Sequence, residues 1–388
     1  MADFNSNIII TGYPYVFPHY FKIFRYFPPS ERPILILPKV WISKTEMRVT
    51  QEPGFKKYLV QAWSYGKNSL LGGLWKGWLP SILFVLIYLR FKYRSKVIFS
   101  CLEPNLLSTL YNSFIAKCLG MKNVLFTWQN IDMSKRYSGV RRLLYKCLIN
   151  FNLILSDGII CGNQKSRQII ASYNLDLKTA VFPLSGVDID VFRPNLDNSW
   201  SDKLGIKDKE VFLFYGAMDD RKGIKYLIEA FGISKLQDAV LIIAGKGPSK
   251  EGLIKYAEEL KLDDRIYFLD WLNNDDLPKL LAIADAFVYP SVRHFGWEEQ
   301  FGYAMAEASA SGVPVIATDT GSINEVVIDG VTGLLVEPAN SEKLAMAMNE
   351  ILKLDKSTLG SNGRNHIVRN FSHQVIAQKM TNFLNSFR

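Results

Sequence analysis

The sequence predicts an α/β protein built as two Rossmann-like, doubly wound domains. Three observations predict it: short apolar runs alternate with helix-period segments along most of the chain, this alternation occurs in two series, and a polar, aperiodic stretch separates them. With 388 residues and 48% hydrophobic composition, the chain is long enough for two cores of ordinary size.

In the first series, residues 7–11, 33–37, 97–100, 123–127, 158–161 and 179–182 read as strands. Helical patterns fall at 105–119, where Gly120 stops the run, and at 140–155. Residues 193–200 are polar, contain Pro194 and lack periodicity, which sets the boundary shortly after Asp188. The second series has strands at 211–215, 240–244, 266–269, 286–289, 313–317 and 333–336, with a helix at 301–311 that Gly312 and Pro314 end. An amphipathic helix occupies 373–387. The expected division is therefore 1–188, 189–370 and a C-terminal helix at 371–388.

The net charge of +9 conceals an asymmetry. Residues 1–150 hold 21 Lys and Arg against 6 Asp and Glu, whereas residues 151–388 hold 25 against 31. A basic, aromatic-rich first half suits nucleic acid or an anionic membrane surface, and the absence of a nucleic-acid-binding motif favours the membrane. The segment 70–96 fits that reading. Its charge-free centre, 77–89, is too short for the ~20 residues that span a bilayer, and Trp75, Lys76 and Trp78 on one side and Arg90, Lys92, Arg94 and Lys96 on the other suit an interfacial helix. A buried core helix with a solvated basic end is the competing reading.

The four cysteines are too widely spaced for a CxxC pair and read as small buried residues in a reducing compartment. No signal-peptide pattern opens the chain, so a cytoplasmic protein is expected, peripheral on the inner face of the cell membrane. No metal is expected: Asp219-Asp220 and Asp275-Asp276 are adjacent pairs that read as solvated turns, and His294, His366 and His373 lack ligand spacing.

The chemistry concentrates between Trp297 and Gly333. Glu299 precedes the 301–311 helix and Glu307 lies within it. A helix start at Phe301 and Gly302 attracts a phosphate or diphosphate through its amides and dipole, and carboxylates beside it suit hydroxyl groups. That combination suggests a nucleotide sugar. A glycosidase acid pair is the natural rival, but a hydrolase needs neither an anion-binding helix start nor a cation opposite it.

The order of Glu, Phe-Gly, a second Glu, a Ser-Gly stop, a Pro-Val-Ile-Ala-Thr strand and Gly330-Val331-Thr332-Gly333 resembles the donor half of glycosyltransferase family 4. The likeness runs from about Gly158 through Gly333 and includes Gly186-Val187-Asp188 and Gly216 with Lys222-Gly223. It implies the GT-B fold, with the terminal helix crossing back to the first domain and the substrates meeting in a cleft. Lys222 would neutralise the donor diphosphate, Glu307 would accept from the ribose hydroxyls, Glu299 would orient the transferred sugar, and Phe301 and Gly302 would offer backbone amides. Where such families place Gly-Arg, this chain has Gly216-Ala217, and Arg221 is the candidate replacement. Gly245, Gly247 and Leu272 would line the nucleotide pocket. Lys250 occupies the third position of a GxGxxG pattern, which disfavours hydride transfer.

On the acceptor side, Gly12 and Tyr13 follow the first strand, and His19 is a candidate base or a structural histidine. Trp128, Gln129 and Asn130 follow another strand where many relatives carry a His, and Glu103 and Asn105 are secondary candidates. The resemblance implies a retaining, metal-independent transfer without a cofactor, by front-side attack in which the departing diphosphate takes the acceptor proton. The donor would be a nucleotide-diphosphate sugar and the acceptor lipid-linked or saccharide, in cell-surface glycan synthesis. A sugar-nucleotide epimerase and a non-catalytic anionic-surface binding protein are the alternatives.

Overall fold

A computed structural model describes residues 7–42, 46–48, 54–63, 73–132, 136–194, 199–273 and 275–388. Residues 70–72 of the expected interfacial segment lie outside them. The chain divides into two compact units, Met1–Gly186 with His373–Arg388, and Val187–Ser372. Each is built around its own parallel sheet.

The first sheet comprises β1 (Ile8–Thr11), β2 (Ile34–Pro38), β5 (Lys57–Val60), β6 (Val97–Ser100), β7 (Lys122–Thr127), β8 (Gly158–Cys161) and β9 (Lys178–Val181), in the order β5-β2-β1-β6-β7-β8-β9. β3 (Val40–Ile42) and β4 (Glu46–Arg48) pair as a separate antiparallel ribbon. Apolar side chains on both faces of β1, β2, β6 and β8 are buried, which is why these strands read as unbroken apolar runs. β5 lacked that signal because it is an edge strand with a Lys at its start and a partly exposed face. Around the sheet stand α1 (Pro18–Phe21), α2 (Ile82–Lys92), α3 (Leu107–Cys118), α4 (Gly139–Ile154) and α5 (Gln164–Ala171). Ile82, Leu86 and Leu89 of α2 pack into the core with Ile9, Ile34 and Ile98, so the 70–96 segment supplies a core helix on one face.

The second sheet comprises β10 (Glu210–Ala217), β11 (Ala239–Lys246), β12 (Ile266–Leu269), β13 (Ala286–Tyr289), β14 (Val315–Thr318) and β15 (Gly333–Val336), ordered β12-β11-β10-β13-β14-β15. Its helices are α6 (Ser199–Leu204), α7 (Ile224–Ser234), α8 (Lys250–Glu259), α9 (Leu277–Leu281), α10 (Tyr303–Ala310), α11 (Ser341–Ile351) and α12 (Lys356–Phe371). α13 (His373–Asn385) belongs to the first unit, where it buries Ile376, Ala377, Met380 and Leu384. His373 faces Tyr26 at 5.4 Å and Ser185 at 3.3 Å.

Two expectations change. Helix α10 starts at Tyr303 rather than Phe301, because Gly302 adopts the left-handed conformation (φ 79°) and caps it. Cys101 and Cys161 are buried, but Cys118 and Cys147 are exposed on α3 and α4. No described helix is long and apolar enough to cross a membrane.

Candidate functional site

In each sheet the chain first builds strands to one side of a starting strand and then to the other. The crevice where the order switches is where open parallel sheets bind ligands, beyond the carboxyl ends of the strands. In the second unit that point lies between β10 and β13. The residues that follow these two strands converge on Glu299.

Lys222 ends a short turn, Asp220–Lys222, after β10, and Gly223 then opens α7 at φ 62°. A Cβ on Gly223 would stand 2.0 Å from the Pro290 carbonyl oxygen, so this turn rests directly on the chain leaving β13. Lys222 Nζ donates to Glu299 Oε2 at 2.6 Å and to the Tyr289 hydroxyl at 2.5 Å. Tyr289 in turn donates to Glu299 Oε2 at 2.7 Å, and the Ser291 hydroxyl reaches the same oxygen at 3.2 Å. The Lys222 and Glu299 side chains are 13% and 8% exposed, which makes this a buried ion pair. Burial pushes the Glu299 carboxyl up, but the Lys222 charge and the hydrogen bonds from Lys222, Tyr289 and Ser291 outweigh it and hold it below the ordinary carboxylate range. Burial, with Glu299 adjacent, raises the Tyr289 phenol well above its ordinary value and keeps it a neutral donor.

A depressed carboxylate has a defined pH signature. Its contribution to stability is complete above the unfolded-state value of ~4.3 and is lost as pH falls through the lower folded-state value. Wild-type protein should therefore lose stability relative to Glu299→Gln as pH is lowered below that point, and keep a constant difference above it. Parallel urea titrations of the two proteins across acidic pH check this.

Glu307 projects from α10 toward β10. Its Oε2 accepts from the Tyr215 hydroxyl at 2.5 Å, and that hydroxyl also reaches the Ala304 carbonyl at 3.1 Å. Phe301 is buried against Tyr303 and Phe371, with ring centroids 4.8 and 5.2 Å away. The loop holding Glu299 is fixed from behind by Gly321 (φ 62°), whose added Cβ would fall 1.9 Å from the Glu299 carbonyl oxygen, while Ser322 N donates to that oxygen at 3.0 Å. Gly321→Ala should destabilise the protein by about 2 kcal/mol or more, because it adds left-handed strain to a backbone collision. Urea unfolding measures the loss, and an unchanged midpoint would refute this account.

Arg221 makes a two-pronged contact with Asp219, at 3.2 and 2.6 Å, and lies 4.5 Å over the Trp297 ring. Its charge is thus shared with Asp219, as that of Lys222 is with Glu299. Gly216 and Gly245 face each other in the β10–β11 ladder at φ 151° and 148°, and a Cβ on Gly245 would lie 1.9 Å from the Gly216 carbonyl oxygen. Gly247 meets the Met218 backbone in the same way. Close backbone approach therefore explains Gly245 and Gly247 locally, and the positive φ explains Gly216. Leu272 is half-buried in the stretch after β12, beside the exposed Trp271. Cavities of ≈ 380 and ≈ 480 Å³ lie at the opposite, amino ends of β10 and β11, away from this cluster. Among the described residues no three His, Cys, Asp or Glu side chains gather as metal ligands would.

The first unit carries its own polar cluster at the switch between β1 and β6. Gly12 (φ 148°) lets β1 approach β6, since a Cβ there would lie 2.8 Å from Cys101. Tyr13 stacks on Trp41 at 4.4 Å, with Lys76 Nζ 4.9 Å from its ring. Glu103 receives Thr127 Oγ1 at 2.7 Å and the Trp128 amide at 2.8 Å, and Gln129 donates to Asn105 at 2.6 Å. Burial raises the Glu103 carboxyl against the lowering effect of those donors and of Lys76. Trp128 covers Gly162, and Asn130 is half-buried in the loop beyond. His19 is exposed on α1 with its ring 4.0 Å from Tyr20 and its carbonyl accepting from Ser185 at 3.2 Å.

Sequence reasoning missed Tyr215, Tyr289, Ser291 and Gly321. The available signal was a tyrosine at the end of an apolar run, in Phe214-Tyr215 and Val288-Tyr289, which places a hydroxyl toward the carboxyl end of the sheet.

Residues 197–368 match the family described as glycosyl transferases group 1. This group 1 region contains Lys222, Glu299 and Glu307 and lies wholly within the second unit. The chain is 30% identical over 199 residues to an uncharacterized glycosyltransferase of Methanocaldococcus jannaschii, covering 48% of this chain and 50% of that protein. It is 32% identical over 203 residues to a D-inositol 3-phosphate glycosyltransferase of Mycobacterium bovis, covering 50% of this chain and 41% of that protein. The chain thus spans half or less of the length of these curated relatives. Among solved structures, Anabaena Alr3699/HepE in complex with UDP aligns with a TM-score of 0.76 at 19% identity, over 98% of this chain and 99% of that one. Sucrose-phosphate synthase from Thermosynechococcus elongatus aligns with a TM-score of 0.74 at 21% identity, over 98% of each chain. The fold is GT-B.

Proposed function

We propose that this protein is a retaining glycosyltransferase. It takes a sugar from a nucleotide-diphosphate sugar to a lipid-linked or polysaccharide acceptor at the cytosolic membrane face, in the synthesis of cell-surface glycans. The observation that carries the reading is the buried Lys222–Glu299 pair at the β10–β13 switch point, with Glu307 on the adjacent helix α10. Lys222 commits two of its three protons, to Glu299 and Tyr289, and in this reading the third serves a phosphoryl oxygen of the donor. A cation fixed in place before the reaction stabilises charge as the nucleoside diphosphate departs, without reorganising at that moment. The helix start at Gly302 adds a favourable dipole. Glu307 accepts from vicinal ribose hydroxyls, while Glu299, held ionised by Lys222, orients the sugar. The acceptor proton passes to the departing diphosphate, so no cofactor or metal enters. That HepE has been seen with UDP and with UDP-glucose supports a uridine nucleotide sugar as the first donor to test.

The test is calorimetric titration with a panel of UDP-, GDP- and ADP-sugars, followed by product chromatography with and without membrane extract. Donor binding plus an acceptor-dependent sugar product is expected. An altered sugar formed without acceptor would make the protein an epimerase, and failure to bind any nucleotide sugar would sink the reading.

A further inference from the structure

Helices α2, α3 and α4 form one layer on the first sheet: each leads into β6, β7 or β8 in turn, and neighbouring helices touch. Their outward side is unusual for a water-facing surface. On α4, Val140, Leu143, Leu144, Phe151 and Ile154 are 53–74% exposed and follow helical spacing, so they form one apolar stripe along its length. The residues of α4 that are buried, Ile149, Asn152 and Leu153, lie on its other side and only in its C-terminal half. Nine residues, 139–147, therefore form helix with no buried side chain at all. Packing of an apolar face is what ordinarily stabilises so short a helix, and here that face points outward. On α2, Phe84 and Phe91 are 71% and 77% exposed opposite the core-facing Ile82, Leu86 and Leu89, and α3 adds Phe114.

The charges on the same helices are all of one sign. Arg90, Lys92, Lys117, Arg141, Arg142 and Lys146 are present, with not one Asp or Glu. We propose that this three-helix layer docks on an anionic lipid bilayer, with the α4 stripe entering the acyl boundary and the cations meeting lipid phosphates. The charge pattern selects this occupant. A second copy docked through these helices would bring together elements that carry cations and no carboxylate to pair them, and a polyanion such as nucleic acid would leave the apolar stripe uncovered. An anionic bilayer matches both components. The proposal deepens the membrane-face reading above and moves the contact from the 70–96 segment alone to a face centred on α4.

The test is flotation of the full chain with vesicles of phosphatidylcholine, alone or mixed with phosphatidylglycerol, at low and high salt. Expected are binding to the mixed vesicles, weakening with salt, and little binding to the neutral ones. The triple substitution Leu143→Ser, Leu144→Ser and Phe151→Ser should lower partition by about tenfold or more, and Arg141→Glu with Arg142→Glu by a similar factor. Near-UV circular dichroism and nucleotide-sugar binding verify that both variants remain folded. Wild-type partition in both variants, or no binding of wild type to mixed vesicles, would overturn the proposal. So would a wild-type dimer that the serine variant converts to monomer. Flotation needs neither donor nor acceptor, so a chain that binds vesicles but transfers no sugar refutes the enzymatic reading and leaves this one standing.

Discussion

Lys222→Ala is expected to lower sugar transfer by roughly 10²–10³-fold, the usual cost of removing one preorganised stabiliser of developing charge. It should also destabilise the protein. Glu299 is 8% exposed and, when the ammonium is gone, loses its one cationic hydrogen-bond donor at Oε2 while the neutral Tyr289 and Ser291 hydroxyls stay on that oxygen. Breaking a buried pair by deleting one partner leaves an uncompensated charge, at a cost of about 3 kcal/mol or more. Part of that cost is relieved when Glu299 takes up a proton, so the stability deficit of Lys222→Ala should shrink toward acidic pH while its transfer defect persists. Single-turnover transfer and urea unfolding of the same preparation separate the two effects. Transfer within threefold of wild type in a folded Lys222→Ala protein would remove Lys222 from the diphosphate site.

Glu307→Ala should behave differently. Tyr215 loses its carboxylate partner but retains the Ala304 carbonyl, so the stability cost should stay near 1 kcal/mol. Two charge-assisted hydrogen bonds to a ribose, at about 1.5–3 kcal/mol each, amount to a loss of roughly 10²-fold or more in donor affinity. Calorimetry with the preferred nucleotide sugar should show that loss, and transfer should be abolished at ordinary donor concentration. Full activity in a folded Glu307→Ala variant would sink the assignment. Glu307→Gln should recover part of the binding, because an amide oxygen still accepts one hydroxyl.

The central strands of both sheets were legible in the sequence because they are buried on two faces, so that chemistry and periodicity agree: residues 97–100, 158–161 and 286–289 coincide with β6, β8 and β13, while the partly exposed edge strands β12 and β15 coincide with 266–269 and 333–336 through their apolar composition. β5 escaped because an edge strand carries its own charge and solvent-facing side chains. Glu299, Glu307 and Lys222 were visible as types in a pattern. That Lys222 shares one oxygen of Glu299 with Tyr289 and Ser291 was not, because these four residues come from three separate stretches that only the β10–β13 pairing brings together. The same applies to Arg221, the candidate replacement for the arginine absent at Ala217, whose pairing with Asp219 only the fold reveals.

The sequence by itself determined the two parallel sheets, the position of the carboxylates around a helix start, and the basic character of the first half, since each depends on local composition and period. Tertiary structure decided which charges are neutralised and which faces are covered. Glu299 became a buried, ionised partner of Lys222, and the apolar residues of α4 were left in solvent although their spacing is that of a core-facing helix. A helical period specifies that one face is apolar, but which way that face turns depends on what the rest of the chain packs against it.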